Sequence, residues 1–418
     1  MDIPKSKLTV LPNGLKLLTE KISEMRSVAV GIYACTGSNN EDDPQAGISH
    51  FIEHMAFKGT KKRTAFDIAS ELDGIGGKMN AYTSKELTCY YAVVLDKHVD
   101  IAVDVLSDIF LNSIYDEKEM ELEKGVILEE IKMYEDTPDE LIHDYFSEVI
   151  YHGHPFGRPT IGNEKSVRSI KRDDIVNYSK KFYTPDNVII SLAGDIEHEE
   201  ALGLIEPVFS GMQGKKPAHL HKEPSLNKAI KLKHKKTEQV HLCLGTGGPS
   251  QTAEDRHAFA IFDTVLGGSM SSRLFQEIRE KRGLAYSIYS YNATLKGAGL
   301  FIVYAGTSKE TFKQVVDLTI QEIDRIKKNG ITNEEMARAK EHLKGSLVLS
   351  LESTSSRMGW LAKTMYYHDH VPTINETFKK IDKATKEDII NVANKYIKEE
   401  HLTLTAIGDI TEAEMPKL

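Results

Sequence analysis

Apolar and polar positions along this chain follow two periods, and each change of period marks an element. LTVLPNGLKLLTEK (8–21) alternates on either side of Asn13-Gly14, a strong short-range hairpin signal, and SVAVGIYA (27–34) reads as a further strand. GISHFIEHMAF (47–57) switches to a helical period that ends near Gly59, and a second helix is capped by Thr64 and Asp67 and stops before Gly74. KMNAYTS (78–84) and LTCYYAVVL (87–95) are strand-like, whereas KHVDIAVDVLSDIF (97–110) sets His98, Ile101, Ala102, Val105 and Ile109 on one helical face. This irregular order of strands and helices predicts an α+β fold rather than a regular βαβ alternation.

The pattern repeats. KRDDIVNYSKKFYTPDNVIISLAGDI (171–196) lies over TKEDIINVANKYIKEEHLTLTAIGDI (385–410) without a gap, each an amphipathic helix followed by a strand that ends in Gly-Asp-Ile. Two similar halves follow, each expected to be a mixed, mostly antiparallel sheet flanked by helices. The Gly-, Pro- and Lys-rich stretch between them gives boundaries of 1–212, a linker at 213–225, and 226–418. His219 and His221 in that linker have no third donor nearby and read as solvated residues.

Length and composition change the picture little. At 418 residues the chain exceeds one ordinary core, in keeping with two domains. No apolar run approaches the ~20 residues of a membrane helix. The net charge of −9 argues against a nucleic-acid surface. Cys35, Cys89 and Cys243 are too few and scattered for a disulfide framework, and the N-terminus lacks the pattern of a secretory signal, so a cytoplasmic location is expected.

The candidate chemistry sits in the first half. His50-Phe51-Ile52-Glu53-His54 places two imidazoles at i and i+4, one turn apart on one helix face, where both can reach a single ion. Glu53 beside them is a carboxylate able to take a proton from water at that ion, and HxxEH is the inverse of the HExxH motif. The flanking Phe51, Ile52, Met55, Ala56 and Phe57 predict a largely buried helix, and buried histidines need partners. The acid-rich helix 117–136 is the source of a third ligand. Glu119, Glu123 and Glu130 share a stripe there, and Glu130 is favoured over Glu129, although neighbours differ by only about 100° around the axis.

HFIEHMAFKGT with the distal Glu130, MNAYTSKELTCYY (79–91), VILEEIKMYED (126–136) and HPFGRPTIG (154–162) together resemble the pitrilysin-type zinc peptidases. The resemblance spans both halves, and the size is similar to the short subfamily of the processing-peptidase β subunit and its bacterial homologues. It implies His50, His54 and Glu130 as ligands of Zn2+, with Glu130 at the subfamily's spacing, 76 residues beyond His54. It implies Glu53 as general base and Glu123 as an outer carboxylate supporting the ligands. In IREKRGLAYSIYS, Arg279 and Tyr286 match a pair that stabilises charge on the substrate carbonyl, with Arg282 as local competitor. The strand bearing Asn80, Ala81 and Tyr82 matches an edge that takes the substrate as an added β-strand.

The implied activity is a zinc endopeptidase that cleaves extended or unfolded peptides inside an enclosed chamber, completed by pairing into a homodimer. The alternative is a non-catalytic, peptide-binding or complex-stabilising subunit of the same fold. Such subunits lose a ligand or the base, which this chain retains, and they carry a long glycine-rich loop where LGGSMSS (266–272) is short. The second half has no HxxEH in HAFAIFDTVLGG (257–268) and no carboxylate near Ser346, so one zinc per chain is expected. His152, His154, His368 and His370 read as loop residues.

Overall fold

A computed structural model describes residues 6–218 and 224–418; His219 and His221 lie outside the described residues. In chain order it begins with β1 (Lys7–Val10), β2 (Lys16–Lys21), β3 (Ser27–Ala34), α1 (Ile48–Ala56), α2 (Ala65–Asp73), β4 (Lys78–Thr83) and β5 (Thr88–Leu95). There follow α3 (Val99–Asn112), α4 (Glu117–Glu135), α5 (Pro138–Ile150), α6 (Glu164–Ser169), α7 (Arg172–Phe182), β6 (Val188–Gly194) and α8 (His198–Phe209). Beyond the linker come β7 (Ile230–His234), β8 (Val240–Gly247), α9 (Arg256–Leu266), a π-helical turn (Phe275–Glu280), β9 (Ala285–Thr294) and β10 (Gly299–Thr307). The chain closes with α10 (Phe312–Asn329), α11 (Asn333–Ser350), α12 (Thr354–His368), α13 (Ile374–Lys383), α14 (Lys386–Tyr396) and β11 (Thr403–Gly408).

The hairpin forms as its turn dictates: Val10 faces Lys16, and Gly14 takes φ +97°, a conformation that favours glycine. Thr64 and Asp67 make the expected reciprocal cap of α2. The repeat is realised as α7–β6 and α14–β11, helix and strand in the same register. Gly194, at φ +139°, closes β6 against the Ser27 carbonyl, where a Cβ would come within 2.1 Å of the oxygen.

Two sheets result, ordered β1-β2-β6-β3-β5-β4 and β7-β11-β8-β10-β9. Apart from β1 the topologies coincide: one parallel pair each, β2 with β6 and β7 with β11, and antiparallel pairing elsewhere. The α+β class and the two similar halves are thus realised.

The chain divides into two compact units, one within Met1–Lys132, Arg158–His221 and Leu349–Thr373, the other within Met133–Gly157, Lys222–Val348 and Ile374–Leu418. In the first, α3 and α8 pack on one face of the sheet through Val105, Ile109, Ile205 and Phe209. Its other face is covered by α12, whose Met358, Leu361, Ala362 and Met365 meet Ala29, Tyr33, Cys89 and Ile189. Gly31 gives α12 room, since a Cβ there would stand 2.6 Å from the Met358 sulfur. In the second unit α9, α10 and α14 cover one face. α5 covers the other, with Ile142, Phe146 and Ile150 against Cys243, Ile302 and Ile407. Each sheet therefore takes one covering helix from the opposite half of the sequence. This explains why β3 and β6 are apolar on both faces rather than alternating.

His143 of α5 ties that helix to its sheet. With the proton on Nε2, Tyr291 donates to Nδ1 at 2.7 Å and Nε2 reaches Tyr289 Oη at 3.3 Å. Burial lowers the pKa of His143 and of nearby His241, against the pull of Asp139. The folded state keeps these rings neutral, whereas the unfolded chain protonates near pH ~6.5, so their stabilisation is full above that pH and lost below it. Melting temperature is expected to fall between pH 7.5 and 5, and to fall less steeply in His143→Gln, as read by circular dichroism.

Candidate metal centre

The helix that carries HxxEH is fixed at its N-terminus and from beneath. Buried Glu41 accepts the Gly47 and Ser49 amides at 2.7 and 2.8 Å, satisfying two of the otherwise orphaned donors at the start of α1. Ile48, Phe51, Ile52 and Met55 pack against Met120, Ile127 and Leu128 of α4 and Ile175 and Tyr178 of α7. With that apolar stripe committed, the i, i+4 pair His50 and His54 is presented to α4 beside Glu130.

The three donors form a triangle: His50 Nε2 to His54 Nε2 is 3.3 Å, His54 Nε2 to Glu130 Oε2 is 3.6 Å, and His50 Nε2 to Glu130 Oε2 is 3.8 Å. Bonds of about 2.0–2.1 Å to a tetrahedral zinc require donor separations of about 3.3 Å, so the set is close to the ion's first coordination sphere. Among the described residues it is the one group of three or more His, Cys, Asp or Glu donors so disposed. Burial, followed by the neighbouring His54, lowers the His50 pKa to about 3, which leaves its lone pair available.

Around the triangle the partners differ. His54 Nδ1 donates to Glu123 Oε1 at 2.8 Å, and Lys58 Nζ lies 2.5 Å from Glu123 Oε2. Burial pushes the Glu123 carboxyl upward, but the bonds to His54 and Lys58 outweigh it and hold the pKa below the ordinary value. His50 Nδ1 is buried without a hydrogen bond among the described residues, and the ring's polar contact is made through Nε2, which faces His54. The Glu130 pKa is raised, chiefly by burial. Glu129 points outward and pairs with Lys132 at 2.7 Å.

Glu53 shares α1 with the two histidines. Burial raises its pKa, and Thr83 Oγ1 opposes this by donating to Oε2 at 2.6 Å. Thr83 ends β4, the edge strand that holds Asn80, Ala81 and Tyr82. Those three pair on one side with Tyr91, Tyr90 and Cys89 of β5, and among the described residues no strand lies beyond β4 in the sheet. Sequence reasoning missed Thr83, whose one signal is its position at the end of the strand.

In the second unit Arg279 lies on the π-helical turn. Its guanidinium stands 4.8 Å from the Phe275 ring centre and 5.3 Å from that of Tyr286, a residue that is 77% exposed. The geometry thus brings Arg279 and Tyr286 together. Arg282 is occupied by the Glu277 carbonyl and carboxylate, both at 2.6 Å. No histidine pair recurs on α9.

Comparison with known proteins gives the family and the fold of the chain. The family profile described as "Insulinase (Peptidase family M16)" matches residues 16–164, and that described as "Peptidase M16 inactive domain" matches residues 169–343. The chain is 41% identical to the "Uncharacterized zinc protease YmxG" of Bacillus subtilis, over 93% of this chain and 95% of the relative. It is 37% identical to an uncharacterized zinc protease of Streptomyces coelicolor, over 98% and 91%. A crystal structure of a protease from Helicobacter pylori superposes with a TM-score of 0.90 at 24% identity, covering 97% of this chain and 100% of that one, and shows the same fold.

Proposed function

The chain belongs to the M16 family of peptidases, and on that premise we propose that it is a zinc-dependent endopeptidase that hydrolyses extended or unfolded peptides. The observation that carries the reading is the His50–His54–Glu130 donor triangle with Glu53 on the same helix. A zinc ion held there would polarise the scissile carbonyl and bring the pKa of water in the open position toward about 7.

The chain's own residues do the rest. Thr83 holds one oxygen of Glu53, leaving the other to take the proton of the attacking water and return it to the departing amide nitrogen. The free edge of β4 at Asn80–Tyr82 hydrogen-bonds the peptide backbone, which selects extended chains by conformation more than by side chain. Arg279 and Tyr286 supply donors for the negative charge that develops on the carbonyl oxygen. The enclosed chamber and its completion by a second copy belong to this proposal and rest on the short-subfamily resemblance. No helix among the described residues is long and apolar enough to cross a membrane.

The test is zinc content together with hydrolysis of an internally quenched peptide. One zinc per chain is expected, with activity lost to a chelator and restored by added zinc. Full zinc loading without hydrolysis across a pool of unfolded peptides would replace this reading with the non-catalytic, peptide-binding one. For the donor pair, Arg279→Ala is expected to lower kcat about 10²–10³-fold with zinc content unchanged, and Arg282→Ala to change it little.

A further inference from the structure

One line of charge reaches the donor triangle from solvent, and its outer member has no role in the reading above. Lys58 follows the last turn of α1, four residues beyond His54. Its side chain is 30% exposed, while that of Glu123 is 6% exposed. Glu123 spends one oxygen on His54 Nδ1 and the other on Lys58 Nζ. A carboxylate removed from water is tolerated only when compensated, and truncating one partner of a buried charge pair leaves the other uncompensated. As a zinc ligand His54 is neutral, so its Nδ1–H is one donor that brings no charge to Glu123. Lys58 supplies the cation, and it also fixes the carboxylate's rotation, because two separate donors grip its two oxygens.

That rotation matters to the ligand. While Glu123 accepts from Nδ1, the proton of His54 stays on Nδ1 and the lone pair on Nε2 faces His50 and Glu130. Outer partners that fix a histidine's tautomer in this way change metal affinity 10–100-fold. We propose that Lys58 is a positioning residue of the metal centre, acting through Glu123 to hold His54 Nε2 as a preorganised zinc ligand. The inference rests on the reading of His50, His54 and Glu130 as a zinc site.

The experiment is zinc affinity at fixed pH, measured by competition with a chromophoric chelator and needing no turnover. Lys58→Met, which keeps the aliphatic stem, and Lys58→Gln are each expected to weaken zinc binding 10–100-fold, as is Glu123→Gln. Lys58→Arg, which restores the cation, is expected to stay within a few-fold of wild type. The double variant Lys58→Met/Glu123→Gln is expected to be no weaker than Glu123→Gln alone, because the two residues act as one unit. A lysine that merely covers the helix end would change the melting temperature and leave zinc affinity in place. Wild-type affinity in both Lys58→Met and Lys58→Gln, or losses that multiply in the double variant, would overturn the inference. Wild-type protein that binds no stoichiometric zinc would instead overturn the metal reading beneath it.

Discussion

Glu53→Gln is expected to keep one zinc per chain and to lose at least a hundredfold in peptide hydrolysis. The substitution is nearly isosteric, and the Gln carbonyl can still accept the Thr83 hydroxyl that lies 2.6 Å from Glu53 Oε2. The three donors that define the triangle come from other residues, so zinc retention follows from the geometry. What the amide cannot do is take a proton from water, a contribution of about 10²–10⁴ when a carboxylate serves as general base. Zinc by elemental analysis and initial rates on a quenched peptide check both halves of the expectation. Retained zinc with undiminished rate would remove Glu53 from the mechanism while leaving the metal site intact.

Much of the local architecture could be read from residue order because its causes are local. The Asn13-Gly14 turn, the Thr64/Asp67 cap and the i, i+4 histidines each depend on contacts within a few residues, and each forms as expected. The repeat at 171–196 and 385–410 carried farther, since the same helix-then-strand unit recurs and, apart from β1, β6 and β11 hold corresponding places in their sheets. The exchange of α5 and α12 had no such signature. An amphipathic helix declares that one face is buried and says nothing about which sheet buries it, and an unbroken apolar run such as that of β3 or β6 calls for cover on both faces without naming what supplies it. Thr83 and Lys58 escaped for a related reason: a threonine at a strand end and a lysine past a helix end are ordinary, and their roles arise from partners distant in sequence, Thr83 from Glu53 and Lys58 from Glu123.

Glu130→Gln is expected to weaken zinc binding by more than a hundredfold, beyond the range of outer-partner substitutions, while Glu129→Gln leaves it unchanged. The two residues are neighbours on α4, and the helix turns about 100° between them. That rotation decides their chemistry: Glu130 Oε2 lies 3.6 and 3.8 Å from the two histidine nitrogens, while Glu129 is 73% exposed and pairs with Lys132. An amide oxygen is a poor substitute for carboxylate at zinc, because it brings no charge to offset the ion's own. The metal-free protein should tolerate the change, since burial already disfavours the charged form of Glu130. Zinc at a hundred times its dissociation constant stabilises a folded protein by about 2.7 kcal/mol. Wild type and Glu129→Gln should therefore melt higher when zinc is added, whereas Glu130→Gln should melt at its metal-free temperature. A zinc-induced rise that survives Glu130→Gln and disappears in Glu129→Gln would move the third ligand one residue back along α4 and require the helix to be rotated from the position that buries Ile127 and Leu128 against α1.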